Sequence, residues 1–143
     1  MLSYKKNLIL EGAPGVGKTF AAKRLAYSIL GEINPEHVTM VQFHQSYTYE
    51  DFIEGFRPSE TGTGFELRKG SFYKFCRKAA DDEEHPYFFI IDEINRGNLS
   101  KIFGELFLLL ESDKRGTELP LLYSDERFTV PPNVYLIGMM NTA

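Results

Sequence analysis

The chain has 143 residues, 43% hydrophobic and 25% charged, with a formal net charge of -4. That length supports one globular domain, the composition is that of an ordinary soluble fold, and the acidic balance argues against a domain that grips duplex DNA unaided. No apolar run approaches the ~20 residues of a membrane helix, no basic-then-apolar leader opens the chain, and the single Cys76 cannot form an internal disulfide, which suits a reducing cytoplasm.

Asn7-Leu8-Ile9-Leu10 reads as a short buried strand. It runs into Gly12-Ala13-Pro14-Gly15-Val16-Gly17-Lys18-Thr19, which spells G-x-x-x-x-G-K-[ST]. A helix follows through Phe20 and Ala26, predicted over 17–30. The strand, loop and helix together separate this string from a chance Gly-rich turn. Glycines let backbone N–H groups turn inward around a di- or triphosphate, and the helix N-terminus adds its positive dipole end. Lys18 is placed to reach the terminal phosphates and the Thr19 hydroxyl to ligate Mg²⁺. The segment from Gly12 to Phe20 is therefore the predicted nucleoside triphosphate cradle.

Val38 to Phe43 is the second predicted strand, followed by His44, Tyr47 and Tyr49, which are either packing and turn residues or ligands. A helix is expected from Tyr49 to Phe56 and a loop or small hairpin from Pro58 to Gly70. A further helix is expected from Phe72 to Ala80, with Cys76 as a small buried apolar group. Arg68, Lys69, Lys74, Arg77 and Lys78 form either a solvated face or a surface for a neighbouring subunit or nucleic acid. The run Asp81-Asp82-Glu83-Glu84 reads as a solvated helix end and turn rather than a metal site.

Tyr87 to Ile91 is a very apolar strand that ends in Asp92 and Glu93. A carboxylate at a strand tip beside a phosphate loop can hold hydrated Mg²⁺, which suits Asp92, and the adjacent Glu93 can then deprotonate the attacking water. Leu99, Ile102, Phe103, Leu106, Leu109 and Leu110 recur at helical spacing, which predicts a helix from Leu99 to Ser112 capped by Asn98. Asp113-Lys114-Arg115-Gly116 fits D-x-x-G, but a helix C-terminus with basic residues against its dipole and Gly116 as cap accounts for it. From Gly116 to Pro132 a second insertion carries strand candidates at 119–123 and 127–130 around Ser124-Asp125-Glu126. Val134 to Met139 is the last strand, and it carries Asn141 to a sheet edge where ligands collect. There Asn141 either bridges water and γ-phosphate or closes the strand as a turn residue.

Alternating strands and helices predict an α/β fold with a parallel sheet and helices on both faces. The phosphate loop, Phe88 to Arg96 and Asn141 together resemble an AAA+ ATPase-type core of the P-loop NTPase class. Longer strings are narrower. Val41 to Tyr47, Tyr49 to Gly55, Ile91-Asp92-Glu93-Ile94-Asn95-Arg96, Asn98 to Lys101 and Met140-Asn141-Thr142-Ala143 resemble the McrB family, the GTP-dependent motor of modified-cytosine restriction systems. The resemblance implies GTP rather than ATP, a ring of copies, and an endonuclease partner of the McrC kind that stimulates hydrolysis. It also implies that residues 1–143 are a partial AAA+ nucleotide-binding domain. DNA is then read by a domain ahead of it, and the last core strand and helical lid lie beyond. Arg96, just past the acids, is a candidate for contact with the next subunit. Two further readings stay open: a MoxR-like, ATP-using remodelling factor, and a nucleotide-gated assembly module with negligible hydrolysis.

Overall fold

The computed structural model describes residues 6–12, 16–31 and 34–141, without the side chains of 16–19 and 141. Its strands are β1 (Asn7–Gly12), β2 (Val38–Gln42), β3 (Glu54–Pro58), β4 (Phe65–Lys69), β5 (Tyr87–Asp92), β6 (Leu119–Pro120), β7 (Arg127–Phe128) and β8 (Val134–Asn141). The α-helices are α1 (Val16–Leu30), α2 (Tyr49–Phe52), α3 (Ser71–Ala80) and α4 (Leu99–Phe103). Four strands form a parallel sheet in the order β1-β8-β5-β2, as the alternation of elements predicts. The other strands make two antiparallel hairpins, β3–β4 and β6–β7.

β5 and β8 are apolar on both faces because both faces are covered. Phe88, Ile90, Tyr135, Ile137 and Met139 pack on one side with Ala22 and Ala26 of α1, whose small side chains let the helix lie close to the sheet. Leu25 and Ile29 extend that stripe at helical spacing. On the opposite face Phe89, Ile91 and Leu136 meet a core built from α2, α3 and α4. Its centre is aromatic: Phe52 stacks on Phe72 at 4.9 Å and meets Phe103 edge-on at 4.8 Å, with Phe89 beneath. Cys76 lies in this core, where burial pushes its thiol up and keeps it protonated. Among the described residues no helix is long and apolar enough to cross a membrane.

Two predicted helices are shorter than their periodicity suggests. The one expected over Tyr49 to Phe56 ends at Phe52. Thr48 and Asp51 cap its start reciprocally, and the next residues leave to pair with Phe65–Lys69 as β3. The hairpin therefore begins at Glu54, not Pro58. The helix expected from Leu99 to Ser112 stops at Phe103, because Gly104 takes φ +55, which breaks the right-handed path. From Gly104 to Leu110 the chain continues as a 3-10 helix that still buries Leu106 and Leu109. Asn98 caps α4 as expected, its Oδ1 accepting from the Lys101 N–H at 3.2 Å. The strand candidates at 119–123 and 127–130 shorten to β6 and β7, with Asp125 at φ 59 in the turn.

The two hairpins are joined by a buried carboxylate. Glu54 is fully buried; its Oε1 accepts from Lys69 Nζ at 2.8 Å and its Oε2 from the backbone N–H groups of Tyr123 and Ser124 at 3.0 and 2.8 Å. Glu126 binds Arg77 at 2.5 Å and Lys69 at 3.5 Å and accepts from the Tyr73 hydroxyl, which extends the network to α3. Gly70 closes the corner, since a Cβ there would overlap the Phe52 backbone. Burial pushes the Glu54 carboxyl up, but hydrogen bonds from Lys69 and Ser124 outweigh it and hold the group below the usual carboxylate range. Glu54→Ala is expected to lose about 2–4 kcal/mol of stability in denaturant unfolding at pH 7. Because the folded pKa is lowered, the contribution is present above the unfolded value of about 4.3 and is lost as pH falls through the folded one. The stability gap between wild type and Glu54→Gln should therefore close on acidification.

Candidate active site

β1 ends at Gly12, and α1 opens at Val16. The predicted loop residues Ala13, Pro14 and Gly15 lie outside the described residues. Val16, Gly17, Lys18 and Thr19 form the first turn of α1, and their side chains are outside the description. In the chain, α1 thus starts four residues after the last residue of β1, the strand-then-helix order that an anion-binding turn needs. Phe20 follows on α1, largely exposed, with the Arg24 guanidinium 5.5 Å from its ring.

Parallel pairing brings the other candidates to the same edge. Gly12 is in register with Asn141 of β8, and Gln42 of β2 with Asp92 of β5. Because β8 lies between β1 and β5, its tip stands between the end of β1 and the acidic pair. The Asn141 side chain itself is outside the description.

Asp92 turns one oxygen back, its Oδ1 accepting the Glu93 N–H at 2.9 Å. The Phe43 N–H donates to the Asp92 carbonyl at 2.9 Å, which fixes the strand tip against β2. Glu93 then takes φ 50, ψ 47, a left-handed conformation unusual for a side chain of its size. This turns the chain sharply into the 3-10 turn Ile94–Arg96. The Glu93 carboxylate is only partly exposed, and its Oε2 accepts from Gln42 Nε2 at 2.8 Å, with Arg96 Nε 3.6 Å from the same oxygen. Sequence reasoning passes over Gln42. The single local signal is a polar amide ending an otherwise apolar strand.

Most of the remaining candidates have contacts of their own. His44 Nδ1 accepts from the Ser46 N–H at 3.2 Å, the Tyr47 hydroxyl meets Ser71 Oγ at 3.2 Å, and Tyr49 donates to Glu105 at 2.6 Å. Arg68, Lys69 and Arg77 are engaged with acids, and Lys74 and Lys78 are exposed on α3. In the D-x-x-G segment Gly116 has φ +86, and Arg115 donates to the carbonyls of Leu110 and Val134 and to Asn7 Oδ1. Burial pushes Arg115 down to about 10, so it stays charged at neutral pH as a tie between β1 and β8. Asp82 in the acidic run accepts from His85 and Tyr87 at 2.7 and 2.9 Å. Among the described residues no group of three or more His, Cys, Asp or Glu is arranged to hold a metal ion.

The left-handed backbone at Glu93 is testable without reference to chemistry. Both Glu93→Gly and Glu93→Ala lose the carboxylate, but only glycine adopts positive φ freely, so the glycine variant should be the more stable by about 1 kcal/mol. Thermal denaturation of the pair measures the difference, and the reverse order would contradict this backbone.

Comparison with known proteins agrees with the geometry. The chain is 60% identical, over 99% of its length, to the Type IV methyl-directed restriction enzyme EcoKMcrB subunit of Escherichia coli K12. It is 28% identical over 99% of its length to YdiS, a component of the Type II restriction enzyme BsuMI of Bacillus subtilis. It spans 32% of the former protein and 52% of the latter. A crystal structure of a candidate ATPase from Cytophaga hutchinsonii superposes with a TM-score of 0.55 at 18% identity, over 96% of this chain and 34% of that one, which supports the shared fold. The resemblance to McrB read from residue strings is borne out by the first of these. Residues 7–143 match the AAA domain (dynein-related subfamily), and the chain belongs to that family as an McrB-like AAA+ domain.

Proposed function

We propose that the chain binds GTP with Mg²⁺ at the tips of β1, β8 and β5 and hydrolyses it as the motor domain of an McrB-like subunit. The observation that carries this reading is the placement of Asp92 and Glu93 on the sheet edge where β1 also ends, with the tip of β8 between them. Family membership and the 60% identity support a nucleotide-binding, nucleotide-hydrolysing domain.

Backbone N–H groups of the 12–19 segment and the Lys18 ammonium would hold the β- and γ-phosphates. Asp92 suits Mg²⁺: it supplies a hard oxygen at the strand tip, and its Oδ2 makes no hydrogen bond among the described residues. Thr19 would be the second protein ligand. Bound there, Mg²⁺ would neutralise charge on the phosphate oxygens. Glu93 would accept the proton of a water whose oxygen attacks the γ-phosphorus, and the bond to the β–γ bridging oxygen breaks with its electron pair leaving on GDP. The Asn141 amide would orient that water. Arg96, exposed beyond the acids, would face a neighbouring copy in a ring. The relative named as a restriction enzyme subunit supports assembly with other subunits of a restriction system; an McrC-like endonuclease partner, DNA engaged elsewhere in the assembly and a cytoplasmic setting are part of the same proposal.

The Gln42 hydrogen bond to Glu93 Oε2, with the Arg96 guanidinium 3.6 Å away as an ion-pair partner, gives the nucleotide-gated module its own support, because water must compete with Gln42 for that oxygen. Slow hydrolysis by the chain alone and acceleration by a partner are consistent with both. A MoxR-like, ATP-using factor is separated from them by competition titration. GTP should displace a labelled nucleotide better than ATP, since a site built to pair with the guanine edge rejects other bases strongly. Equal competition would move the reading to ATP.

The two acids should fail differently. Glu93→Gln keeps its shape but loses the charge that activates water. Nucleotide affinity with Mg²⁺ should hold while hydrolysis in the partner-stimulated assembly falls by about 10²–10⁴-fold. Asp92→Asn should weaken Mg²⁺-dependent binding itself, measured by calorimetry with and without the ion. Intact hydrolysis in Glu93→Gln would place the base elsewhere.

A further inference from the structure

The apolar stripe of α1 faces the sheet, where Ala22 and Ala26 are buried and Leu25 and Ile29 pack beside them. Phe20 lies off that stripe. Its ring is 64% exposed and belongs to neither apolar cluster, so packing within the described fold does not account for it. Arg24 follows one helical turn later, at i+4 and hence on the same side of α1. Its guanidinium is 5.5 Å from the centre of the Phe20 ring, near the ~6 Å limit of a cation–π contact, and it makes no ion pair among the described residues. It is loosely held, with its N–H groups open to a ligand. The pair stands one and five residues past Thr19, on the stretch of chain that continues from the predicted phosphate turn. A nucleotide held there by its phosphates must place its base against some neighbouring surface, and an exposed ring beside an exposed guanidinium is suited to one.

We propose that Phe20 is the platform on which the nucleotide base stacks and that Arg24 selects guanine through its O6 and N7. The inference rests on the GTP reading above and names the residues that would make the choice. A guanidinium only donates hydrogen bonds. Guanine presents O6 and N7 as two adjacent acceptors, which the planar fork of an arginine meets together. On the same edge adenine keeps N7 but carries the N6 amino donor in place of O6, so one N–H of the fork would oppose another donor. An aromatic ring, by contrast, stacks on either purine. Phe20 therefore supplies affinity without choice, and Arg24 supplies the choice.

The test is calorimetric titration of the chain, with Mg²⁺, by GTP, inosine triphosphate, 7-deaza-GTP and ATP. Inosine triphosphate keeps O6 and N7 and should bind far better than ATP. The 7-deaza analogue has a C–H in place of N7 and should bind about 10-fold more weakly than GTP. Arg24→Gln should weaken GTP about 10-fold or more, leave ATP nearly unchanged and abolish the difference between GTP and its 7-deaza analogue. Phe20→Ala should weaken GTP and ATP alike, by about 10-fold. Both side chains are exposed, so neither substitution disturbs the core. Equal binding of GTP and 7-deaza-GTP, inosine triphosphate no better than ATP, or an equal loss of GTP and ATP in Arg24→Gln would each overturn the role of Arg24. Unchanged affinities in Phe20→Ala would overturn the platform. A wild-type chain that binds GTP no better than ATP would contradict the GTP reading and this inference together. A preference for GTP that survives Arg24→Gln would overturn this inference alone, so the two failures are distinguishable.

Discussion

The parallel register of β1, β8 and β5 is the constraint on which the rest depends. β8 is buried on both faces and hydrogen-bonded on both edges, so its tip has one position, between the end of β1 and the end of β5. Each of the three strands then ends at the same edge, β1 at Gly12 before the predicted phosphate turn, β8 at Asn141 and β5 at Asp92 before Glu93. None of these groups contacts the others through sequence neighbours. Their proximity is a property of strand order, and strand order is held by apolar side chains that alternate between an α1 face and an aromatic face. Such burial is worth about 1.5–3 kcal/mol for each large side chain, and summed over the many buried in the sheet it outweighs the few hydrogen bonds at the edge.

At that edge the backbone works against its preference. Glu93 occupies a left-handed conformation, stabilised locally by the Asp92 carboxylate and across the sheet by Gln42. Strain of this kind persists where the surroundings over-determine it, and it is concentrated at functional positions. Here it aims one carboxylate out of the strand line while its neighbour stays at the strand tip. Two adjacent acids thereby reach different surroundings. The Glu54 network performs a comparable task away from the edge, tying the two hairpins and α3 into one unit outside the sheet.

The acidic strand end was legible because an apolar run closing in two acids is a short string, whereas the phosphate loop stays an expectation read from its spacing, with residues 13–15 outside the described ones. The buried residues of the 99–112 segment were legible too, yet its conformation was not. Apolar residues at positions 99, 102, 103, 106 and 109 satisfy an α-helix and a 3-10 continuation alike, and the positive φ of Gly104 decides between them. Tyr49 to Phe56 failed for a different reason: the pairing of Glu54 with Lys69 outweighs helical propensity, and that partner lies 15 residues on. Gln42 was invisible because its meaning comes from Glu93, 51 residues away in the chain. The side chains of Lys18, Thr19 and Asn141 remain expectations read from spacing.

The most direct measurement of the central claim is a crystal structure of the chain with Mg²⁺ and a non-hydrolysable GTP analogue. The triphosphate should lie in the turn between β1 and α1, with Asp92 on the metal side and the Glu93 carboxylate facing the γ-phosphate across a water. A nucleotide bound away from the tips of β1, β8 and β5, or a γ-phosphate facing away from Asp92 and Glu93, would contradict the account.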